Sequence, residues 1–190
     1  MHSCRCSENR DGPTDVNPME RRKKTPGESL VHMTEMVLPN DTNTLNNLMG
    51  GRLMHWMDIV SAIAAQKHSN SVVVTASVDN ISFREPIKLG NTVTLKAKVT
   101  RSFRTSMEVR IEVFAEDIPA GTHIQSHSAY FTFVAIAPAG GTVEVPEVVP
   151  ETEEERQQYD GALRRRQLRL VLSGRMKPSE ANELRSIFGD

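Results

Sequence analysis

Cysteine is almost absent from this 190-residue chain: Cys4 and Cys6 are the only two, both near the start. That spacing gives no disulfide framework, and a lone C-x-C is a weak metal signal, so both read as terminal thiols without a function. Long apolar runs are absent too. No early segment resembles a signal peptide, and none approaches the ~20 residues of a membrane span. A cytoplasmic location with no membrane partner fits both shortages. Charge of one sign is absent: 23 basic residues face 24 acidic ones, for a net charge of −1. That balance gives no general pull toward nucleic acid or an anionic surface. No Ser-His-Asp spacing, phosphate loop or dinucleotide fingerprint occurs. His55, His68, His123 and His127 have no ligand-like spacing, so no metal is expected.

What is present lies mostly between two polar ends. Residues 1–30 are charged and proline-bearing and read as a disordered leader, with Arg21-Arg22-Lys23-Lys24 a solvated charge run. Residues 31–138 carry the pattern of a folded domain. A first strand is expected from His32 to Leu38, a loop from Pro39 to Asn47, and a helix from about Gly51 to Lys67. Period-two alternation then predicts half-buried antiparallel strands at Val72–Phe83, Val93–Phe103, Met107–Ala115 and His127–Ala137. Residues 139–150 read as a linker and 151–190 as a helical C-terminal extension. Thr152-Glu153-Glu154-Glu155 has the form of a capping box. Arg164, Arg165, Arg166 and Arg169 could touch ligand phosphates, but solvated charge that suits the far end of that helix's dipole is the better reading. Gly174 is a plausible stop, and a last helix begins near Pro178 with Ala181, Leu184 and Ile187 or Phe188 on one face.

The central helix holds the most informative residue. Leu53 to Ala65 is apolar on nearly every side, which implies burial, yet it contains Asp58. A buried carboxylate costs several kcal/mol, of order, unless paired or hydrogen-bonded. Either donors tie Asp58 down as a structural element, or it does chemistry. Gly50-Gly51 opens the helix, and a helix N-terminus with unpaired amides and no side chains in the way is what an oxyanion hole requires. Asp58, about two turns on, could activate water as a general base. Asn43 could hold the water or a carbonyl, or could simply shape its loop.

These residues resemble a known family. Leu38-Pro39-x-Asp41-Thr42-Asn43, Gly50-Gly51 and Met57-Asp58-Ile59 are similar to the hotdog-fold acyl-CoA thioesterases of the cytosolic acyl-CoA hydrolase type. Val78-Asp79-Asn80-Ile81-Ser82-Phe83-Arg84-Glu85-Pro86-Ile87 with Gly90 resembles that family's next motif, and Arg104-Thr105-Ser106-Met107-Glu108-Val109 a further one. The resemblance spans about residues 33–137. It implies an α+β hotdog fold, in which a curved antiparallel sheet wraps one long helix. It implies hydrolysis of fatty acyl-CoA to fatty acid and CoA. Asp58 is then the base (or, less simply, a nucleophile), paired with Asn43 from a neighbouring subunit. Gly50 and Gly51 supply backbone donors, and Arg104, Thr105 and Ser106 contact CoA. No separate cofactor is implied, since CoA is part of the substrate. The implied assembly is a homo-oligomer: dimers with shared sites, joined as a trimer of dimers into a hexamer.

Two positions depart from the family pattern. Asn46 stands where glycine is frequent, and asparagine tolerates a left-handed backbone. Phe103 stands where glycine precedes the Arg104-Thr105-Ser106 run, and its ring would reshape the CoA groove or acyl tunnel. Met54, Trp56, Met57 and Phe103 line such a tunnel or fill core. Two alternatives use the same fold: a non-catalytic acyl-CoA sensor, and a dehydratase or hydratase. Retention of both Asn43 and Asp58 argues against the first. No His sits in a motif that would serve the second.

Overall fold

The computed structural model describes residues 21–79, 81 and 85–186, with backbone alone at 124–126. Cys4, Cys6, Ile187, Phe188 and part of the Asn80–Arg84 motif lie outside the described residues. The elements in chain order are β1 (Lys23–Lys24), β2 (Val31–Met36), α1 (Gly50–Ser69), β3 (Val72–Val78), β4 (Thr92–Ser102), β5 (Ser106–Asp117), β6 (Thr122–Ile136), β7 (Glu147–Val148), α2 (Glu153–Leu172) and α3 (Asn182–Arg185).

Alternation decides which face of each strand is buried. Val93, Leu95, Ala97 and Val99 on β4, Met107, Val109, Ile111 and Val113 on β5, and Ala129, Phe131, Phe133 and Ala135 on β6 are all buried. The strands form one antiparallel sheet in the order β2-β4-β5-β6-β3. Its apolar face curls around α1, which touches all five strands. Burial of each large side chain there contributes about 1.5–3 kcal/mol. This is the helix-in-sheet architecture implied by the resemblance. The final long strand starts at Thr122, five residues before the expected His127, and β3 ends at Val78.

Three stretches differ from their sequence reading. Within the expected leader, Lys23–Lys24 pair with Glu147–Val148 as a small parallel sheet, and Ser29 is buried with its hydroxyl accepting from the Val99 amide. The supposedly solvated Lys24 donates to the Lys67 carbonyl and to Asn70. The expected linker is likewise seated, with Val145 and Val148 at 1% exposure.

The third is the arginine cluster of α2. The helix does start on the Thr152 capping box: Thr152 Oγ1 accepts from the Glu155 amide at 3.2 Å, and Glu155 reaches back to the Thr152 amide at 3.4 Å. Gly174, at φ +70°, follows its end. Arg165, Arg166 and Arg169, however, are part-buried against the sheet rather than solvated. The helix lies on the outer, polar face of the sheet through charged contacts. Lys98 meets Glu155, Arg110 meets Glu154, and Tyr130 donates to Gln158. Glu108, fully buried on the outward face of β5, accepts from Arg165 at 2.8 Å and Arg169 at 3.3 Å. Arg169 also pairs with Asp79 at 2.8 Å. Burial pushes the Asp79 carboxyl up, with Glu108 adding to it and Arg169 opposing.

Candidate active site

Asp58 lies on α1 opposite β3, where Thr75 Oγ1 donates to its Oδ1 at 2.7 Å. Next to Thr75 the pairing of β3 with β6 shifts register, a bulge with Ala76 as the extra residue. Bulges of this kind re-aim side chains beside functional sites. Burial of the carboxylate is only partial. The expectation of a helix buried on every side is therefore corrected. Leu53, Trp56, Met57, Val60 and Ala64 face the core, but Met54, Ile59 and Ile63 are 37–43% exposed on the other face. Within one chain, nothing covers that face among the described residues. Trp56 and Met57 are core residues. Phe103 is not: its ring lies beneath the Arg166 guanidinium, 4.2 Å from the centroid.

Asn43 sits on the loop before α1, and its position is built by the neighbouring residues. Asp41 is buried, accepts from the Leu38 amide and holds Arg52 at 2.7 Å, while its carbonyl accepts from the Met49 amide. This clamps the loop to the first turn of α1. Asn46 takes the left-handed backbone at φ +57°, as expected from its residue type. Asn43 Oδ1 accepts from the amides of Leu45 and Asn47 at 2.9 and 3.2 Å. The asparagine thus shapes the loop, and the same two bonds fix its amide plane, with no acceptor for Nδ2 among the described residues. Neither Gly50 nor Gly51 gives its amide to an acceptor among the described residues, and Met49 caps with no side chain. A carbon added at Gly51 would meet no atom within 4 Å.

No hydrogen bond joins Asn43 to Asp58 among the described residues. Seven helical residues separate Gly51 from Asp58, about 10 Å along the axis. Two groups of residues are thus held apart in the chain: Asn43 with the amides of Gly50 and Gly51, and Asp58 with Thr75. Arg104, Thr105 and Ser106 form the tight connection of β4 to β5, where the Phe103 amide donates to the Ser106 carbonyl at 2.7 Å. The Arg104 side chain is exposed, and Ser106 Oγ accepts from Arg166 at 3.4 Å.

From the sequence, Thr75 is missed altogether, Asp41 is named only as part of a motif, and Arg166 only as one of a charged cluster. No signal for Thr75 is visible in the sequence: it alternates with Ser77 and Asp79 in the polar row of the strand, whereas the structure turns it inward opposite Phe133. Among the described residues, no group of three or more His, Cys, Asp or Glu side chains could hold a metal ion, and no helix is long and apolar enough to cross a membrane.

Comparison with known proteins locates this arrangement. A model of the thioesterase superfamily matches residues 45–121. The chain is similar to an acyl-CoA thioester hydrolase of Bacillus subtilis, YkhA, with 41% identity over 138 residues, 73% of this chain and 80% of that one. It is 39% identical over 147 residues to mouse acyl-coenzyme A thioesterase 11, covering 77% of this chain but only a quarter of that longer protein. Among solved structures, a hexameric acyl-CoA thioesterase superposes with a TM-score of 0.77 at 35% identity, covering 80% of this chain and 97% of that one. The acyl-CoA hydrolase of Staphylococcus aureus, solved with butyryl-CoA and CoA, superposes with a TM-score of 0.74 at 36% identity, covering 80% and 94%.

Proposed function

The chain belongs to the thioesterase superfamily, and from that membership we propose that it hydrolyses acyl-CoA thioesters to a carboxylic acid and CoA. Asp58 is the general base. It takes a proton from water as the water oxygen attacks the thioester carbonyl. The oxyanion that forms is held by the free amides at the start of α1 and by Asn43 Nδ2. When the intermediate collapses the C–S bond breaks, and the proton held by Asp58 passes to the departing thiolate. Thr75 is a positioning residue, since its hydroxyl holds Oδ1 and leaves Oδ2 to face the water.

The single observation that carries this reading is the division into half-sites. The donor amides of one protomer are open, and its acid stands too far along the helix to serve them alone. Pairing the donor half of one subunit with the acid half of another completes the chemistry. The exposed Met54, Ile59 and Ile63 supply apolar surface for such a contact. A hexamer built as a trimer of dimers is part of the proposal, in line with the hexameric structural neighbour. A cytoplasmic location belongs to it as well. Support for the residue roles comes from the S. aureus enzyme. Variants of it solved with alanine in place of an asparagine, an aspartate and a threonine have those positions 15 and then 17 residues apart. Asn43, Asp58 and Thr75 show the same two intervals.

The test is thiol release from acyl-CoA esters running from acetyl to palmitoyl. Asp58→Asn should lower turnover roughly 10³-fold with binding and assembly retained. Full turnover in that variant removes the acid from the mechanism. Tight acyl-CoA binding by the unaltered protein with no thiol release would make it a sensor.

A further inference from the structure

We propose that Arg166, the Ser106 hydroxyl and the Phe103 ring form a seat for a phosphoryl group of the CoA half of the substrate. The inference rests on the acyl-CoA reading above and deepens it by assigning a specificity residue on α2.

Four arginines crowd one stretch of α2, and they are not equivalent. Arg165 and Arg169 are neutralised by Glu108 and Asp79. Arg166 is partly buried beside them and meets no carboxylate among the described residues. Its polar partner is the Ser106 hydroxyl at 3.4 Å, and its guanidinium stacks over Phe103. Its charged neighbours are Arg169 and Arg101, both cations. Burial and those two cations hold Arg166 below the usual arginine range. Arg101 brings no counter-charge either: it donates to the Tyr159 carbonyl at 3.0 Å and stacks on the Tyr159 ring at 4.1 Å. A half-desolvated guanidinium among like charges is unfavourable unless an anion joins it. Among the described residues the protein gives Arg166 one hydroxyl acceptor and no carboxylate.

The space in front of Arg166 suits such a guest. A groove of about 730 Å³ runs between α2 and the outer face of β3, β5 and β6. Its walls include the hydroxyls of Ser106, Ser77 and Thr132, the apolar Val134 and Leu168, and the Asp79 carboxylate, which Arg169 neutralises. A planar guanidinium held flat on an aromatic ring offers paired N–H groups in the geometry that phosphate oxygens accept. Phe103, which replaces the family's glycine, gives that ring. The seat adjoins Arg104, Thr105 and Ser106, the residues that the family resemblance assigns to CoA. It faces outward, whereas Asp58 and Thr75 face inward. The two ends of one CoA ester are thus held by different faces, as shared sites in an oligomer allow.

The experiment measures binding of CoA, dephospho-CoA (which lacks the ribose phosphate) and pantetheine by calorimetry. Steady-state hydrolysis of acyl-CoA and acyl-pantetheine is measured alongside. Arg166→Gln should weaken CoA roughly tenfold and raise KM for acyl-CoA by the same factor, while kcat and the constants for the phosphate-free pantetheine series hold. Arg166→Lys should recover part of the loss. A drop seen with CoA but not dephospho-CoA identifies the ribose phosphate as the guest. An equal drop with both identifies the diphosphate. Unchanged CoA binding in a folded Arg166→Gln protein overturns the inference, as does an equal loss for pantetheine. Should Arg166→Gln fail to fold, Ser106→Ala serves instead, with a threefold weakening for CoA alone expected and no change refuting the seat. If the unaltered protein neither binds CoA nor releases thiol, the acyl-CoA reading itself has failed, a result distinct from loss of the seat.

Discussion

Replacing Glu108 with Ala should strip α2 from the sheet. The carboxylate has no exposure, and its oxygens are held by Arg165, Arg169 and the Thr100 hydroxyl, the last at 2.9 Å. Removing one partner of a buried pair costs about 3–5 kcal/mol because the other charge is left uncompensated. Here the arginines are 23% and 19% exposed and can partly rehydrate, and Arg169 keeps Asp79. The lower end of the range applies, about 3 kcal/mol. For a domain of this size that is a fall in Tm of roughly 6–12 °C if α2 unfolds with the body. If α2 opens on its own, the loss appears instead as faster amide exchange confined to residues 153–172. Urea titration with hydrogen exchange separates the two. Because the pair is buried, the effect should survive 0.5 M salt, whereas breaking the exposed Arg156–Glu153 pair should matter little at any salt concentration. A loss under about 1 kcal/mol, or one abolished by salt, would refute the claim that buried ion pairs seat this helix.

Two further outcomes can be checked. Thr75→Val removes the donor to Asp58 while keeping its shape, and should lower kcat about tenfold with KM nearly constant; an unchanged kcat removes Thr75 from the site. His68 is fully buried, gives Nε2–H to the Pro146 carbonyl at 2.9 Å, and has no partner for Nδ1 among the described residues. Burial holds its pKa below the ordinary 6.5, so folding favours the neutral ring. Its contribution is present above the unfolded value and lost as pH falls through 6.5, at up to about 1.4 kcal/mol per pH unit. His68→Gln should flatten that acid limb in a stability-versus-pH series, and an unaltered slope would show that other groups set it.

Much of the fold is legible because one rule, alternation, governs β4, β5 and β6, and one apolar segment governs α1. What the sequence hid is long-range. Ser29 and Lys24 look like leader residues because their partners, the Val99 amide and the Lys67 carbonyl, are main-chain groups that no residue pattern reveals. The arginines of α2 look solvated because Glu108, 57 residues away from Arg165, stands on the outward face of a strand where charge is normal. Asp58 looks deeply sunk because a helix whose second apolar face awaits a neighbour reads the same as one enclosed by its own chain. Residue types and spacing pointed to Asn43, Asp58 and the paired glycines. That Asn43 and Asp58 are held apart within one chain follows only from the bonds each one makes.

That separation bears on heredity. Two damaged alleles, one lacking the asparagine and the other the aspartate, need not be equally dead when expressed together. On the proposed pairing, a mixed dimer gathers both lesions into one cleft and leaves the other whole; with random pairing half of the dimers are mixed, so a cell carrying both would regain about a quarter of full activity.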